Sequence, residues 1–255
     1  MGLDLVTVAC LSDNYAFLAR DEETGTVALV DAPEAAPIEV ALAERGWSLD
    51  LILITHHHDD HILGVEALRA AHGTTVIGAA ADAHRLPPLN REVREGDSVA
   101  IGASEGRVID VSGHSVGHIA YHFAEAGVVF TGDSLMAMGC GRVFEGTKPQ
   151  MWESLAKLID LPADTVVCSG HEYTEANVRF ALTVEPGNDA LQARAKAVAE
   201  ARSAGRYTVP STLAEELATN PFVRAGEPAL QAAVGMAGAS AADVFAEVRT
   251  RKDNF

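Results

Sequence analysis

The sequence predicts a mixed α/β domain followed by a smaller helical domain. Short runs of apolar and β-branched residues, with helical patterns between some of them, fill the first two-thirds of the chain. After Tyr173 the chain is instead dominated by Ala- and Glu-rich stretches of helical character. We therefore place a domain boundary between residues 172 and 173, which gives domains 1–172 and 173–255.

The predicted elements follow from these patterns in chain order. Segments with the composition of β-strands are residues 5–11, 15–19, 26–31, 51–55, 74–78, 107–111, 120–124, 128–131 and 165–169. Helical patterns are residues 37–45, 65–72, 151–159, 174–183, 190–204, 211–219, 229–234 and 241–248. Gly73 is suited to end the second helix, because glycine favours the left-handed conformation that follows many helices. Ser211 is expected to begin the helix at residues 211–219.

Charge and cysteine content restrict the function. The formal net charge of −17 disfavours a nucleic-acid partner, because a polyanion would be repelled, but it allows a small anionic substrate held by local cations. No apolar stretch has the length of a membrane span and no secretory leader is recognised, so no membrane association is expected. The three cysteines, Cys10, Cys140 and Cys168, have no paired spacing, which predicts no disulfide framework and a reducing, cytoplasmic location.

A cluster of metal-ligand side chains lies between a predicted strand and a predicted helix. Residues 55–61 read Thr-His-His-His-Asp-Asp-His and contain the pattern H-x-H-x-D-H. His56 and His58 are two residues apart, so in an extended segment they face the same way. Asp60 and His61 follow, where the first helical turn is expected. Imidazole and carboxylate ligands together suit zinc, iron or manganese.

Further candidate ligands lie downstream, each directly after a glycine at the end of an apolar run. They are His114, Asp133 and His171. Glycine allows a sharp turn and a close approach of the backbone, so these strands are predicted to end on one rim. Five histidines and two aspartates are too many for one tetrahedral ion, and they fit two ions about 3.5–4 Å apart that share a carboxylate and a hydroxide.

The remaining histidines are expected to have structural roles. His72, His84, His118 and His122 are assigned to the surface or the core, although His118 and His122 share one face of a predicted strand and could support the site. His57 lies inside the motif, but its side chain is expected to point away from those of its neighbours. A purely structural or metal-storage role for the cluster is the alternative to catalysis.

With these residues in view, the chain resembles the glyoxalase II (hydroxyacylglutathione hydrolase) branch of the metallo-β-lactamase superfamily. The H-x-H-x-D-H element marks only the superfamily, whereas Tyr173 and the basic C-terminal end point to this branch. The resemblance covers nearly the whole length, and its motifs are residues 11–15, 55–61, 113–115, 131–133, 139–142, 144–147, 170–174 and 219–222, with Arg249 and residues 252–255.

The resemblance implies a fold and a metal centre. The implied fold is an αββα four-layer sandwich with metals at one edge of the paired sheets, followed by a helical domain that helps to bind glutathione. The implied cofactors are two divalent metal ions per chain, zinc foremost, with iron or manganese as alternatives. The implied ligands are His56, His58 and His114 for one ion, Asp60, His61 and His171 for the other, and Asp133 as the bridge.

The resemblance also implies a reaction. S-(2-Hydroxyacyl)glutathione thioesters, chiefly S-D-lactoylglutathione, would be hydrolysed to glutathione and D-lactate, a step of methylglyoxal degradation. A metal lowers the pKa of bound water from about 15.7 towards about 7, so a metal-bridged hydroxide would attack the thioester carbonyl. Asp60 would orient this hydroxide as well as ligate. The implied substrate contacts are Arg142, Tyr173, Arg249 and Lys252, and we expect a monomer.

Two positions depart from the family pattern. Some members carry Lys where this chain has Arg142, and Tyr where it has Phe144. Arginine still binds a carboxylate, in a different pose, whereas Phe144 lacks a hydroxyl for the substrate. Cys140 lies near the predicted rim, and we interpret it as a small packing residue.

Three other functions are weighed against thioester hydrolysis. A persulfide dioxygenase of the same superfamily would use one iron and would lack the glyoxalase-like helical tail. A nuclease is disfavoured by the acidic balance and by the absence of an added nucleic-acid module. A noncatalytic metal- or partner-binding protein would be inactive on every thioester.

Overall fold

The computed structural model describes residues 2–255, which form two compact units. One unit extends to Asp110 and also contains Val116–Gly132, and the other consists of Val111–Ser115 and Asp133–Phe255. The domain boundary predicted between residues 172 and 173 stays a prediction. Within residues 2–255, no helix is long and apolar enough to cross a membrane.

The first unit contains a six-stranded sheet whose spatial order is the chain order. Its strands are β1 (Leu3–Cys10), β2 (Asn14–Asp21), β3 (Val27–Val30), β4 (Leu51–Leu53), β5 (Thr75–Ala79) and β6 (Arg91–Val93). The first three strands are antiparallel, and β3 to β6 are parallel. Parallel neighbours need crossover connections, and three helices lie in them: α1 (Ala35–Arg45), α2 (Asp59–Ile62) and α3 (Val65–His72).

Alternation along the strands separates the two faces of this sheet. Leu18 and Ile52 belong to one buried cluster with Leu42 and Leu68 of the helices, because alternate residues of a strand share a face. Phe17, on the opposite face, has its ring 5.8 Å from that of Phe130. The helices therefore cover one face of the sheet and a second sheet covers the other.

The second sheet of this unit is antiparallel. Its strands are β7 (Ser98–Ile101), β8 (Ser104–Asp110), β9 (Ile119–Phe123) and β10 (Val128–Gly132), each paired with the next. The Tyr121 hydroxyl donates a hydrogen bond to the Ile54 carbonyl at 2.9 Å. This bond ties β9 to the segment that follows β4, where the histidine-rich motif begins.

The second unit is mainly helical. Its helices are α4 (Lys148–Ile159), α5 (Thr174–Val184), α6 (Asp189–Ser203), α7 (Leu213–Thr219), α8 (Pro228–Ala233) and α9 (Ala241–Asp253). Its short strands are β11 (Leu135–Met136), β12 (Gly139–Cys140), β13 (Val166–Ser169) and β14 (Ser211–Thr212), paired as β11 with β12 and β13 with β14. The fully buried Glu216 accepts hydrogen bonds from the Met138 backbone and the Asn220 amide, and so fixes the turn between β11 and β12 to α7.

Several helix boundaries differ from the prediction by one to five residues, and two of them have a clear physical reason. The helix expected from Ser211 begins at Leu213, because Thr212 is its cap and forms a reciprocal capping box with Glu215. The final helix continues to Asp253 instead of ending at residue 248. Its last turn is stabilised by Arg249, which is 2% exposed and forms an ion pair with Asp253 at 2.9 Å.

Candidate metal centre

The histidine-rich motif begins two residues after β4 and ends within α2. His56 is fully buried, and its Nε2 lies 3.1 Å from Nδ1 of His58. The two side chains therefore lie on the same side of the segment, as predicted, with their ring planes 76° apart. Asp60 and His61 lie in α2, as expected, and the Asn14 amide donates to Oδ2 of Asp60 at 3.1 Å.

Hydrogen bonds at Nδ1 orient two of these histidines. Nδ1 of His61 lies 2.8 Å from Oδ2 of Asp31, and Nδ1 of His56 lies 3.0 Å from Oγ1 of Thr55. Each ring therefore presents Nε2 as its remaining ligand atom. A partner at the second ring nitrogen is the usual support of a metal-binding histidine, because it fixes the tautomer and the ring orientation.

The downstream candidates form a second cluster. Oδ2 of Asp133 lies 3.5 Å from Nε2 of His114 and 3.3 Å from Nε2 of His171, and all three side chains are buried. Nδ1 of His114 lies 2.8 Å from the Arg142 carbonyl oxygen, so this ring is also held at Nδ1. The cluster thus consists of one carboxylate oxygen and two Nε2 atoms.

The glycines before these ligands were predicted to allow sharp turns. Gly113 has φ +152° and Gly132 has φ +49°, a region that disfavours side chains with a Cβ. A Cβ on Gly132 would lie 2.5 Å from Oγ1 of Thr55. Gly170 does not have a positive φ, so its conformation is not restricted to glycine.

Within the first unit, ligand atoms of Asp31, His56 and His61 lie within 4.8 Å of one another, and Nε2 of His56 lies 3.1 Å from Nδ1 of His58. Within the second unit, the downstream cluster contributes two imidazoles and one carboxylate. Imidazole nitrogens with a few carboxylate oxygens are donors that suit zinc or iron, so the residues present fit divalent metal ions.

The other histidines have structural contacts. His57 pairs with the buried Asp82 at 2.9 Å, and His72 pairs with Glu39 at 3.1 Å. His118 precedes β9 and lies outside the strand that contains His122, so the two do not share a strand. The His118 ring is fully buried and stacks on His56 at 4.5 Å, which makes it a support of the motif.

Two predicted substrate contacts lie close to the downstream cluster. The Tyr173 ring stacks on His171, with centroids 4.6 Å apart and an interplanar angle of 8°, and Tyr173 remains 40% exposed. Arg142 is exposed, while its carbonyl holds His114. The ring of Phe144, which differs from the tyrosine of some family members, lies 5.2 Å from the ring of His114.

The two C-terminal cations are more enclosed than the sequence suggested. The Arg249 guanidinium donates to the Cys140 carbonyl at 3.2 Å and lies 5.0 Å from the centre of the Phe222 ring. Nζ of Lys252 donates to the Ala176 carbonyl at 3.2 Å. Burial, followed by the nearby charges of Arg249, Arg179 and Arg142, lowers the pKa of Lys252 to about 8.

The three cysteines are buried, and none of them forms a disulfide within residues 2–255. Burial raises the pKa of the Cys140 thiol to about 11, although the adjacent Arg249 opposes this shift. A thiol in this state is a poor nucleophile at neutral pH. The packing role predicted for Cys140 is therefore supported.

Several functional neighbours were missed in the sequence. Asn14, Asp31 and Thr55 contact candidate ligands directly, and Arg179 adds a charge beside Lys252. Asp31 and Thr55 each carry a polar group at the end of an apolar run, the same signal that identified His114. Arg179 carries no such signal, because a lone arginine on a helix usually faces solvent.

Comparison with known proteins identifies the class. Residues 12–171 match the family model described as "Metallo-beta-lactamase superfamily", and residues 172–255 match "Hydroxyacylglutathione hydrolase C-terminus". The crystal structure of ETHE1 from Myxococcus xanthus is 28% identical, with a TM-score of 0.69 over 98% of this chain and 90% of that chain. A di-iron-bound form of TTHA1623 is 28% identical, with a TM-score of 0.58 over 66% of this chain and 91% of that chain. The chain belongs to the metallo-β-lactamase superfamily, which confirms the predicted fold class.

A full-length relative shows which family of this superfamily the chain belongs to. A Cereibacter sphaeroides protein named hydroxyacylglutathione hydrolase is 65% identical over 255 residues, which is 100% of both chains. Within the superfamily, the chain belongs to the hydroxyacylglutathione hydrolase family. The predicted resemblance is thereby confirmed.

Proposed function

We propose that the chain hydrolyses S-(2-hydroxyacyl)glutathione thioesters, chiefly S-D-lactoylglutathione, at a centre of two divalent metal ions. Membership of the hydroxyacylglutathione hydrolase family supports the substrate class. The observation that carries the metal centre is that each unit brings candidate ligand atoms together: Nε2 of His56 lies 3.1 Å from Nδ1 of His58 in one unit, and Oδ2 of Asp133 lies within 3.5 Å of both His114 and His171 in the other.

The proposed ligands divide into two sets and a bridge. One ion would be held by His56, His58 and His114 and the other by Asp60, His61 and His171, with Asp133 shared by both. The shared role of Asp133 is supported by its Oδ2, which lies 3.5 Å from His114 and 3.3 Å from His171, one histidine from each trio. A single carboxylate near members of both trios is what a two-ion centre requires.

The chain's own residues define the reacting position. When bound, the two ions would supply Lewis acidity and a hydroxide nucleophile at neutral pH. Asp60 would hold this nucleophile for attack on the thioester carbonyl, with its carboxylate fixed by the Asn14 amide, which donates to Oδ2. The glutathione thiolate is a good leaving group, so no side chain is needed to protonate it strongly.

The glutathione moiety brings carboxylates to an acidic protein, so local cations are needed. We assign this role to Arg142, Arg249 and Lys252. The Tyr173 hydroxyl would donate a further hydrogen bond to the glutathione moiety. The low pKa of Lys252, caused by burial and by neighbouring arginines, supports the assignment, because a cluster of cations favours an incoming anion. Each charge-assisted bond contributes about 1.5–3 kcal/mol.

Three further assignments belong to this proposal. Zinc is the foremost metal, and iron stays an alternative in view of the di-iron form of TTHA1623. The chain would act as a monomer, which size-exclusion chromatography with light scattering can test. A cytoplasmic location fits three cysteines that form no disulfide within residues 2–255, because disulfides are rare in reducing compartments.

The persulfide dioxygenase is the main alternative, and the C-terminal region argues against it. That enzyme was expected to lack the glyoxalase-like helical tail, whereas residues 172–255 match the hydroxyacylglutathione hydrolase C-terminus. The helical segments α5 to α9 occupy this region. Thioester hydrolysis is therefore favoured.

The deciding experiment measures thiol release from S-D-lactoylglutathione and metal content on the same sample. We expect two ions per chain and rapid hydrolysis. His171→Ala should lose both activity and metal, whereas His84→Ala, which changes an exposed histidine, should lose neither. Oxygen consumption with glutathione persulfide, without thioester hydrolysis, would refute the proposal.

A further inference from the structure

The buried carboxylate of Asp31 forms hydrogen bonds with Thr55 and His61 of the histidine-rich motif. Asp31 directly follows β3 and is 3% exposed. Its Oδ1 accepts from the Thr55 backbone N–H at 2.8 Å, and its Oδ2 lies 2.8 Å from both Oγ1 of Thr55 and Nδ1 of His61. The backbone also holds this arrangement, because Ala32 N–H donates to the His61 carbonyl at 2.8 Å.

The directions of these hydrogen bonds follow from the groups that meet. The Thr55 backbone N–H and hydroxyl donate to the two carboxylate oxygens of Asp31, and Oδ2, as an acceptor, also accepts from Nδ1 of His61. With its proton committed to Asp31, the Thr55 oxygen can only accept from Nδ1 of His56, 3.0 Å away. Both histidines therefore carry their proton on Nδ1 and keep a lone pair on Nε2.

We propose that Asp31 is a positioning residue that sets the metal-binding tautomer of two histidines, His61 directly and His56 through the Thr55 hydroxyl. In the proposed centre these histidines belong to different ions. One carboxylate thus supports both metal subsites through a chain of three hydrogen bonds. The expected effect on metal affinity rests on the proposed function. The expected effect on the histidine tautomers rests on the hydrogen bonds alone.

Asp31 is better suited to this role than to metal ligation. Its ligand atoms lie within 4.8 Å of those of His56 and His61, so direct coordination is the competing interpretation. Both of its oxygens, however, already accept hydrogen bonds, one from Thr55 N–H and the other from two donors. Buried polar atoms with satisfied bonds are costly to redirect.

Asn is the informative replacement at Asp31. The backbone there has φ +57°, a conformation that Asn tolerates nearly as well as Asp, so the fold should be retained. The amide NH₂ would face Nδ1–H of His61 in one orientation and the Thr55 backbone N–H in the other. In either orientation one hydrogen-bond donor faces another donor. Turning the ring proton to Nε2 relieves the first conflict, and this tautomer cannot ligate through Nε2.

A second pair of variants tests the link through Thr55. Thr55→Val keeps the β-branched shape and removes the hydroxyl, so Nδ1 of His56 loses its acceptor. Thr55→Ser keeps the hydroxyl and should restore the tautomer. This pair stays informative if Asp31→Asn does not fold.

The experiment has two readouts on each purified full-length variant. Long-range ¹H–¹⁵N spectra of the metal-free protein report the tautomers, and chelator competition reports zinc affinity. We expect Nδ1–H for His56 and His61 in the unmodified chain. Asp31→Asn should shift His61, Thr55→Val should shift His56, and each should bind zinc about 10–100-fold more weakly.

Asp82→Asn is the matched control. Asp82 is also fully buried and pairs with a histidine, His57, but that histidine is no proposed ligand. This variant should alter His57 alone and leave the tautomers of His56 and His61 unchanged.

The outcomes separate this inference from the proposed function. Unchanged tautomers in folded Asp31→Asn, or equal zinc affinity of Thr55→Val and Thr55→Ser, would overturn the inference. Absence of zinc binding by the unmodified chain would instead refute the proposed metal centre, and the tautomers would then decide the role of Asp31.

Discussion

Gly141 offers a steric test of the proposed metal centre. This residue follows β12, and its N–H donates to the Ser134 carbonyl at 3.1 Å. A Cβ at this position would lie 2.8 Å from Nδ1 of His114 and would overlap the carbonyl oxygen of Asp133. Both neighbours are proposed ligands, so Gly141→Ala should displace His114 and Asp133 without removing either ligand.

The expected magnitude follows from these distances. A Cβ essentially never approaches another heavy atom closer than 3.0 Å. The His114 ring must therefore shift slightly, and the Asp133 carbonyl oxygen must move by nearly 1 Å. Overpacking of this kind costs about 1–3 kcal/mol of stability, and a displacement of about 1 Å near the reacting atoms can cost about 100-fold in rate. We expect kcat/KM to fall about 10–100-fold, which corresponds to about 1.4–2.7 kcal/mol.

The assay is thioester hydrolysis at matched metal content, with thermal unfolding measured in parallel. Gly187→Ala is the control, because a Cβ there meets nothing within 4 Å, and it should leave kcat/KM unchanged. A folded Gly141→Ala variant with full metal content and unaltered kcat/KM would refute the placement of His114 and Asp133 beside the reacting atoms.

Two other predictions concern catalysis and substrate binding. Asp60→Ala should abolish turnover, because the side chain proposed to orient the nucleophile is lost, and near-normal kcat with full metal content would contradict that role. Lys252 has a pKa of about 8, so it loses its charge progressively as the pH rises through that value and should bind the substrate carboxylate more weakly. The KM should therefore increase above about pH 8 in the unmodified chain. It should stay level in Lys252→Arg, since arginine keeps its charge. A KM that does not change with pH in either protein would exclude Lys252 from the binding site.

The metal motif was predictable because its signal is local. His56 and His58 face the same way as a direct result of strand periodicity, and ligand chemistry is encoded in residue type. Asp31 and Thr55 were hidden by the same reasoning, because they were counted as the last residues of apolar strands. Their roles depend on hydrogen bonds between segments far apart in the sequence.

The C-terminal end shows what local patterns cannot provide. Residues 249–253 read Arg-Thr-Arg-Lys-Asp, a run that suggests a solvated end beyond the last helix. The helix instead continues through it, because Arg249 is buried against the Phe222 ring and the Cys140 carbonyl. Those partners come from remote segments, so no short window of sequence contains them.

The burial of the cysteines has a consequence for an enzyme that releases a thiol at every turnover. Glutathione and its disulfide exchange with protein cysteines through the thiolate form. With a pKa of about 11, Cys140 would be ionised in roughly one molecule in ten thousand at pH 7, and Cys10, whose pKa is raised to about 12, still less often. Mixed disulfides with the enzyme's own product would therefore form slowly, and activity should withstand an oxidised glutathione pool without any protecting partner.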